Sequence, residues 1–272
     1  MRRLIGWLFL RGYAFSERDH FSIWKGNDFM KTKGIVIPHE HGAWAMVSVP
    51  FLFGMMAGQP QWIHLPLFLG WLFLYLSSYP FLQFLKRTTH RGHWLRWGTV
   101  YGAISIVFLV PLVIFNPSLL YSVPLLLGLL MVNIWHTMQK SERAMLNNVC
   151  AILIFSVGGP AAYLLGGGGW DPTMALIMLF SFLHFMGSVF FVKSVFRERK
   201  NQRWINYAKV YHVIVLFIPL AVGIPWMFLA FLYSTVRTFT FGGEIQRPWK
   251  VGIIEIIGAV QFLILSVAVI NL

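Results

Sequence analysis

The amino-acid sequence predicts an all-α protein, a polytopic bundle of transmembrane helices. Hydrophobic residues make up 57% of its 272 residues and charged residues only 11%, whereas soluble domains carry about 25% charged residues. Long apolar stretches follow one another along the chain, separated by short breaks rich in glycine and proline. A chain this long and this apolar cannot bury its hydrophobic surface in one soluble core, so we expect it to lie in a membrane.

The first residues differ from the rest of the chain. Their apolar run, residues 4–10, is too short to span a membrane and lacks the small-residue cleavage site of a signal peptide. Because Met30 would make an ordinary start, we expect translation to begin there and residues 1–29 to be a misassigned start. Residues 1–33 are therefore treated as a cytoplasmic extension, and residues 34–272 as a single transmembrane domain.

Nine apolar stretches are candidates for membrane-spanning helices, and each has roughly the 17–25 residues that a span requires. They are residues 42–58, 62–85, 95–115, 118–136, 144–166, 173–196, 205–223, 226–241 and 251–271. The connections between them contain turn sequences such as Gly58-Gln-Pro60 and Asn116-Pro117-Ser118. Asp171 followed by Pro172 predicts a capped start for the sixth span.

The distribution of Lys and Arg predicts the orientation of these spans. The chain has 22 Lys and Arg against 9 Asp and Glu, a net charge of +13. The basic residues cluster in the N-terminal region and near the loops after the second, fourth, sixth and eighth spans, and the intervening loops contain none. Because cytoplasmic loops are enriched in Lys and Arg, the N-terminus is predicted inside and the C-terminus outside. The basic charge then contacts anionic headgroups and does not require nucleic acid as a partner.

Motifs for common cofactors are absent from the sequence. Cys150, the single cysteine, lies in an apolar stretch, so a disulfide framework is excluded. The chain has no Walker A motif, no Rossmann glycine pattern, no nucleophile elbow and no Cys-x-x-Cys. We therefore predict no cofactor and no metal site, and the sequence leaves open whether the protein is an enzyme.

A group of polar side chains stands where the chain enters its first span. His39, Glu40 and His41 follow Pro38, and the spacing of the two histidines points both imidazoles the same way in an extended segment. One interpretation is a site that contacts a ligand or handles protons. The other is a helix start whose histidines lie among lipid headgroups, since two histidines alone do not make a zinc site.

Three further polar groups lie at the predicted cytoplasmic ends of spans. Helical spacing aligns the basic residues of each group on one face, where they either cradle a phosphate or carboxylate or simply extend towards the headgroups. The groups are Gln83, Lys86, Arg87 and His90 after the second span, Arg143 and Asn147 before the fifth, and Lys193, Arg197 and Glu198 after the sixth. Glu142 is expected to pair locally.

Ionisable residues within the apolar spans are candidates of a different kind, because burying charge in a membrane is costly. His184 in the sixth span and His212 in the seventh are each either functional or neutral and bonded to a neighbouring helix. Arg237 and Glu255 lie at similar depth and are predicted to pair. The break that ends at Pro160 in the fifth span is either a kink or the wall of a cavity.

The motif at the first span resembles a known family. The N-terminal signature of the YwiC-like family of bacterial membrane proteins is similar to Pro38-His39-x-His41-Gly42-Ala43-Trp44-Ala45-Met46 followed by Pro50. The same family also resembles the chain at Lys193-Ser-Val-Phe-Arg197-Glu198-Arg199 and at Tyr211-His212. The resemblance extends from about residue 34 to the C-terminus. The resemblance implies a multi-pass protein of the bacterial inner membrane. It places Trp44 among the candidate ligand-binding residues and brings no established activity with it.

The helix count and loop placement also resemble, more weakly, the UbiA-type intramembrane prenyltransferases. Those enzymes have nine helices and hold Mg²⁺ and a diphosphate with Asp-rich motifs after the second and sixth. Here residues 76–97 contain no Asp or Glu, and residues 187–204 contain only Glu198. A shared fold would therefore not bring the magnesium mechanism with it, because the carboxylate ligands are missing.

We expect the polar groups to converge on a cytoplasmic-side pocket that binds or processes an anionic or isoprenoid-type lipid. Arg and Lys would contact its phosphate directly, in place of a metal bridge. Membrane lipids are thus the expected partners. The alternatives are a permease for a small anion, suggested by the broken fifth span and His184, and a membrane assembly factor without catalysis.

Overall fold

The structure is a computed structural model that describes residues 34–38 and 41–272, and of His41 it describes the backbone alone. The N-terminal extension, His39 and Glu40 lie outside the described residues, so the start at Met30 stays a prediction. Every regular element of the described chain is a helix, which confirms the predicted all-α fold class.

The described chain forms ten α-helices and two short 3₁₀ helices. The α-helices are α1 (His41–Ala57), α2 (His64–Lys86), α3 (Arg91–Phe115), α4 (Val123–Met138), α5 (Met145–Ser156), α6 (Gly158–Leu165), α7 (Pro172–Val195), α8 (Gln202–Ala221), α9 (Phe228–Phe241) and α10 (Pro248–Ile270). The 3₁₀ helices, Pro117–Ser122 and Pro225–Met227, lead into α4 and α9.

Seven helical stretches of the described chain are long and apolar enough to cross a membrane. They are α2, α3, α4 with its 3₁₀ helix, α5 together with α6, α7, α8 and α10. The first and eighth predicted spans correspond to shorter helices, α1 with 17 residues and α9 with 14. These helices are those of a membrane protein, and the count of nine spans and their orientation remain predictions.

The helix boundaries follow the turn chemistry of the sequence. Oδ1 of Asp171 accepts a hydrogen bond from the backbone N–H of Met174 at 3.0 Å, which caps α7 as predicted. Asn201 caps α8 in the same way through the N–H of Trp204. Gly223 has φ +82° in the turn after α8, a left-handed conformation that favours glycine.

Helix α1 lies between two hydrophobic cores and contributes to both. Val49 and Phe53 pack into a core formed mainly by α7–α10. Val47 and Phe51, each two residues before one of that pair, pack into a second core with α2, α3, α5 and α6. Because residues four apart share a helix face, these two pairs give α1 one face for each core. The two cores divide the bundle into an N-terminal part, α2–α6, and a C-terminal part, α7–α10.

The break in the fifth predicted span separates α5 from α6 and serves close packing. A Cβ built on Gly54 of α1 would overlap the carbonyl oxygen of Gly159 in α6. A Cβ on Gly159 would lie 2.7 Å from Cγ2 of Ile177 in α7 and 2.8 Å from the carbonyl oxygen of Pro50. Glycine at both positions therefore lets the backbones of α1 and α6 meet, which favours the kink interpretation of this break over a cavity wall.

The connections between helices group at two ends of the bundle. At one end, Nζ of Lys86 bonds Glu142, and Nζ of Lys193 bonds the carbonyl of Arg143. At the other end, the N–H of Gln59 donates to the carbonyl of Gly166 at 2.9 Å. We call the first, which comprises the loops 87–90, 139–144, 196–201 and 242–247, the basic end. The loops 58–63, 116–122, 166–171 and 222–227 at the opposite end contain no Lys or Arg.

Candidate functional site

A buried hydrogen bond attaches the segment that precedes α1 to the bundle. The hydroxyl of Tyr101 in α3 donates to the carbonyl of Val36 at 2.9 Å. Trp44 in α1 is partly exposed and meets the ring of Tyr75 edge-on, with the ring centroids 6.0 Å apart. His39, Glu40 and the side chain of His41 lie outside the described residues, so their two interpretations stay open.

The polar group after α2 does not form one helical face. Helix α2 ends at Lys86, whose ammonium pairs with Glu142 at 2.6 Å. Nε of Arg87 donates to Oε1 of Gln83 at 2.9 Å, within the same stretch. His90 has φ +57° and precedes α3, so it has left the helix that the sequence spacing assumed. The expected local pairing of Glu142 was wrong, because its carboxylate reaches a lysine 56 residues earlier.

The loop between α4 and α5 places one candidate outward and one inward. Lys140 in this loop has φ +54° and α5 begins only at Met145, so Arg143 and Asn147 do not share the predicted helix face. Arg143 is exposed. Nδ2 of Asn147 donates to the carbonyl of Glu142 at 2.7 Å and fixes the loop from inside.

The polar group after α7 is likewise a turn and not a helix face. Helix α7 ends at Val195, and the N–H of Glu198 donates to the carbonyl of Lys193 at 2.8 Å. Arg197 is exposed on this turn. Oε2 of Glu198 accepts from Nδ2 of Asn201, the cap of α8. The predicted helix face with Lys193 and Arg197 is therefore interrupted by a tight turn.

Two helix ends and one loop nevertheless bring cations together at the basic end. Nζ of Lys193 lies 3.3 Å from the carbonyl oxygen of Arg143, 3.8 Å from Sδ of Met145 and 5.5 Å from the ring centroid of Trp204. Lys86 bonds the same loop through Glu142. We call Lys86, Glu142, Arg143, Lys193 and Arg197 the basic cluster, since α2, the α4–α5 loop and the end of α7 all contribute to it.

The predicted pair of Arg237 and Glu255 is present and is part of a larger buried network. Nη1 of Arg237 in α9 bonds Oε1 of Glu255 in α10, and Nη2 donates to Oγ of Ser188 in α7 at 3.1 Å. The Arg237 side chain is 1% exposed and that of Glu255 is 22% exposed. The guanidinium carbon lies 4.8 Å from the ring centroid of Phe191. A charge this deeply buried requires such partners.

The two intramembrane histidines lie next to this network. Nδ1 of His212 bonds the carbonyl of Ala208 at 2.8 Å, so Nδ1 carries the proton and Nε2 faces Oγ1 of Thr238 at 3.2 Å. His184 is 2% exposed and stacks on Phe262 of α10, with the centroids 4.2 Å apart. Nδ1 of His184 has no hydrogen-bond partner within the described chain.

Two residues that complete these sites were not identified as members from the sequence. Ser188 is a third partner of Arg237, and a Cβ on Gly258 would lie 3.2 Å from Nη1 of the same arginine. The spacing of Ser188 from Lys193 gives no hint of this role, because the partner comes from another helix. Among the described residues no three His, Cys, Asp or Glu side chains form a metal-binding group, and the prediction of no metal stays open at His39–His41.

Comparison with known proteins identifies the relatives of the chain. Residues 37–163 match the family described as YwiC-like protein. The uncharacterized protein YwiC of Bacillus subtilis (strain 168) is 42% identical over 228 residues, which cover 84% of this chain and 95% of that protein. An uncharacterized protein of Haemophilus influenzae is 34% identical over 235 residues, which cover 86% of this chain and 98% of the relative.

No solved structure matches the chain with significance, so the likeness to UbiA-type prenyltransferases gains no support. The predicted resemblance of the first-span motif is confirmed, since the matched region contains it and both relatives align along most of their length. The chain belongs to the YwiC-like family.

Proposed function

We propose that the basic cluster binds the phosphate or carboxylate headgroup of an anionic or isoprenoid-type lipid from the cytoplasmic leaflet of the bacterial inner membrane. The observation that carries the proposal is convergence: two contacts, Lys86 with Glu142 and Lys193 with the carbonyl of Arg143, join α2 and α7 to one loop. Charges at a membrane surface attract anionic lipids by about 1 kcal/mol per Lys or Arg.

The balance of charge within the basic cluster favours an anion. It contains four cations, and the carboxylates on the same turns are Glu142 and Glu198. Glu142 already holds Lys86, and Glu198 holds the amide of Asn201. The exposed guanidinium groups of Arg143 and Arg197 therefore supply the free positive charge, and each offers a planar set of donors that matches a phosphate.

Two neighbouring side chains support a lipid as the source of the anion. Lys193 lies over the ring of Trp204, and Trp204 stacks on Phe190 with their centroids 5.4 Å apart. Tryptophan favours the boundary between headgroups and acyl chains, where its ring is apolar and its N–H is polar. Cations beside such a ring would face the depth at which a lipid phosphate lies.

The alternative of a small-anion permease has weaker support. Its two motivations were the broken fifth span and His184. The break is occupied by the contact of α1 with α6. The buried Arg237 already has Glu255 as its counter-ion, so it offers no free positive charge to a transported anion. The assembly-factor alternative would instead be favoured if a partner protein co-purified with the chain and the lipid did not.

The test measures the anionic lipid that co-purifies with the protein. Arg143→Ala combined with Arg197→Ala removes two exposed cations of the basic cluster, and we expect retention to weaken by about 2 kcal/mol, or roughly 30-fold. Arg247→Ala combined with Lys250→Ala removes the same charge from the start of α10, where both residues are exposed. This control should keep the lipid. Equal retention in wild type and both variants, with Cys150 still protected from a thiol reagent, would refute the proposal.

A further inference from the structure

The interior of α7–α10 contains buried polar atoms that nothing in the lipid proposal uses. Within the described chain, Ser181, His184, Ser234 and Ser266 each have a side-chain polar atom with no hydrogen-bond partner, as does Nε of Arg237. All five residues are at most 3% exposed. An unpartnered buried donor or acceptor loses the bonds that it would make to water, so a group of five requires an explanation.

The polar residues of α7 and α10 lie at successive levels along two antiparallel helices, and Ser234 and Arg237 are one turn apart on α9. On α7, Ser181, His184 and Ser188 are spaced i, i+3, i+7 and share one face. On α10, Glu255 and Ser266 are eleven residues apart, about three turns, and also share one face. The stack of His184 on Phe262 sets the register between the two helices.

The register assigns the polar side chains of the two helices to matching levels. Below the His184 level, towards the basic end, Ser188 meets Glu255 through Arg237. Above it, Ser181 and Ser266 come to the same level, because the helices run in opposite directions. By helix rise, Glu255 is about 10 Å from the start of α10 and Ser266 about 6 Å from its end. The polar levels therefore extend over about 16 Å, roughly half the length of α10.

The chemistry of these groups favours a proton over any other solute. Hydroxyl and imidazole groups both accept and donate hydrogen bonds, which is what proton transfer through side chains and water requires. The charges of Arg237 and Glu255 cancel, so the interior has no excess charge to hold an inorganic anion or a metal cation. A carboxylate can take up a proton whereas a guanidinium stays protonated, so Glu255 is the member of the pair that can exchange a proton.

We propose that α7–α10 enclose a hydrated proton pathway in which the carboxylate of Glu255 takes up and releases the proton. A proton from the basic side converts the Glu255 carboxylate to the acid and weakens its bond to Arg237. The proton then passes through water to the level of His184 and on to Ser181 and Ser266, and Glu255 returns to the ionised pair. Intramembrane ionisable groups mark proton routes in membrane proteins, and this route is independent of the basic cluster.

Serine residues elsewhere in the chain provide matched controls for hydration. Ser105 donates to the carbonyl of Gly70 at 2.8 Å, and Ser156 donates to the carbonyl of Ile152 at 2.8 Å. Both are at most 1% exposed, as Ser181 is. They differ from Ser181 in having a protein partner, so the pathway proposal predicts water at Ser181 and none at Ser105 or Ser156.

The first experiment replaces one serine at a time with cysteine in a Cys150→Ala background. Reaction with a small, charged, water-soluble thiol reagent is measured in native membranes. We expect Ser181→Cys and Ser234→Cys to react at least tenfold faster than Ser105→Cys and Ser156→Cys. A dry interior, in which all four react equally slowly, overturns the proposal. Equal rapid reaction at all four also overturns it, because hydration would then not be confined to α7–α10.

The second experiment measures proton entry into liposomes that contain the purified protein and a pH-sensitive dye, driven by a potassium diffusion potential. Arg237→Gln combined with Glu255→Gln removes the carboxylate without leaving an unpaired charge, and Glu244→Gln combined with Arg247→Gln makes the same change at exposed positions. We expect the wild type and the exposed-site control to acidify faster than the Arg237/Glu255 variant. Equal rates for the wild type and the Arg237/Glu255 variant overturn the proposal, and the lipid-retention test does not depend on this outcome.

Discussion

The two parts of the bundle treat buried polar side chains differently. In the N-terminal part, Nε2 of His64 bonds the carbonyl of Ala162 at 2.9 Å, and Ser105 and Tyr101 bond carbonyls of other elements. Each of these is a neutral side chain bonded to a backbone acceptor. In the C-terminal part the central contact is an ion pair, Arg237 with Glu255, surrounded by side chains with unused bonding capacity.

The difference separates two uses of polarity inside a membrane. A neutral side chain that bonds a carbonyl on another helix fixes the packing of two elements and leaves little chemistry available. A buried ion pair costs desolvation that packing alone would not require. Both parts contain buried polar atoms without a partner in the described chain, such as Nε2 of His136 in α4 and Oγ of Ser181 in α7, so the buried ion pair is what distinguishes α7–α10. The candidate sites for binding or chemistry are therefore the basic cluster and the C-terminal interior.

The largest predicted effect comes from breaking the ion pair on one side. Arg237→Leu leaves Glu255 with no partner for its charge, and we expect a loss of about 3–5 kcal/mol in the free energy of unfolding. Arg237→Leu combined with Glu255→Leu should recover most of this loss, because no unpaired charge remains. Stability is measured in detergent by the rate at which buried Cys150 becomes reactive on heating. If the double variant is as unstable as the single one, shape and not charge is what the pair supplies.

The next largest effect concerns how much the close approach of the α1 and α6 backbones contributes to stability. Gly54→Ala places a Cβ against the carbonyl of Gly159, and we expect a loss of about 1–3 kcal/mol from overpacking. Gly128→Ala in α4 is the control, since a Cβ there has no atom within 4 Å. It should be neutral or slightly stabilising. Equal effects of the two substitutions, measured by the same Cys150 assay, would show that the close approach of α1 and α6 contributes nothing.

Much of the fold could be predicted from the sequence because its signals are local. Glycine, proline and Asx residues mark the connections, so the predicted span 173–196 differs by one residue at each end from α7, Pro172–Val195. Span 251–271 begins three residues later than α10, since Pro248 starts the helix. The depth of Arg237 and Glu255 within apolar stretches was also a local signal, and it correctly indicated the pair.

The candidate site was less predictable because its contacts are between helices. Helical spacing assumed that helices continue past Lys86 and Val195, but the backbone turns at both points. The spacing therefore could not show that Lys86 bonds Glu142 across 56 residues. Ser188 was visible as a polar residue in the sixth span, but its role depends on the approach of α9, which no periodicity encodes.

The smallest effect lies at the junction of the two parts, where Asp171 caps α7 and accepts a hydrogen bond from Tyr163 of α6 at 2.9 Å. Burial raises the pKa of Asp171, but hydrogen bonds from the Met174 N–H and the Tyr163 hydroxyl lower it more, so the pKa lies below its usual value. Because the folded-state pKa is depressed, the ionised carboxylate stabilises the fold. This contribution is complete above the pKa of an unfolded aspartate, about 3.9, and is lost as the pH falls through the folded-state value.

Asp171→Asn keeps an oxygen that can accept from Met174 but removes the charge at the start of α7. We expect a loss of about 0.3–1 kcal/mol at neutral pH, which shrinks at acid pH as the wild-type carboxyl is protonated through its depressed pKa. Thermal unfolding followed by tryptophan fluorescence at both pH values measures this, and Glu244→Gln, an exposed change at the basic end, is the control. A difference between Asp171→Asn and the wild type that is the same at both pH values would mean that the junction depends on the shape of the cap and not on its charge.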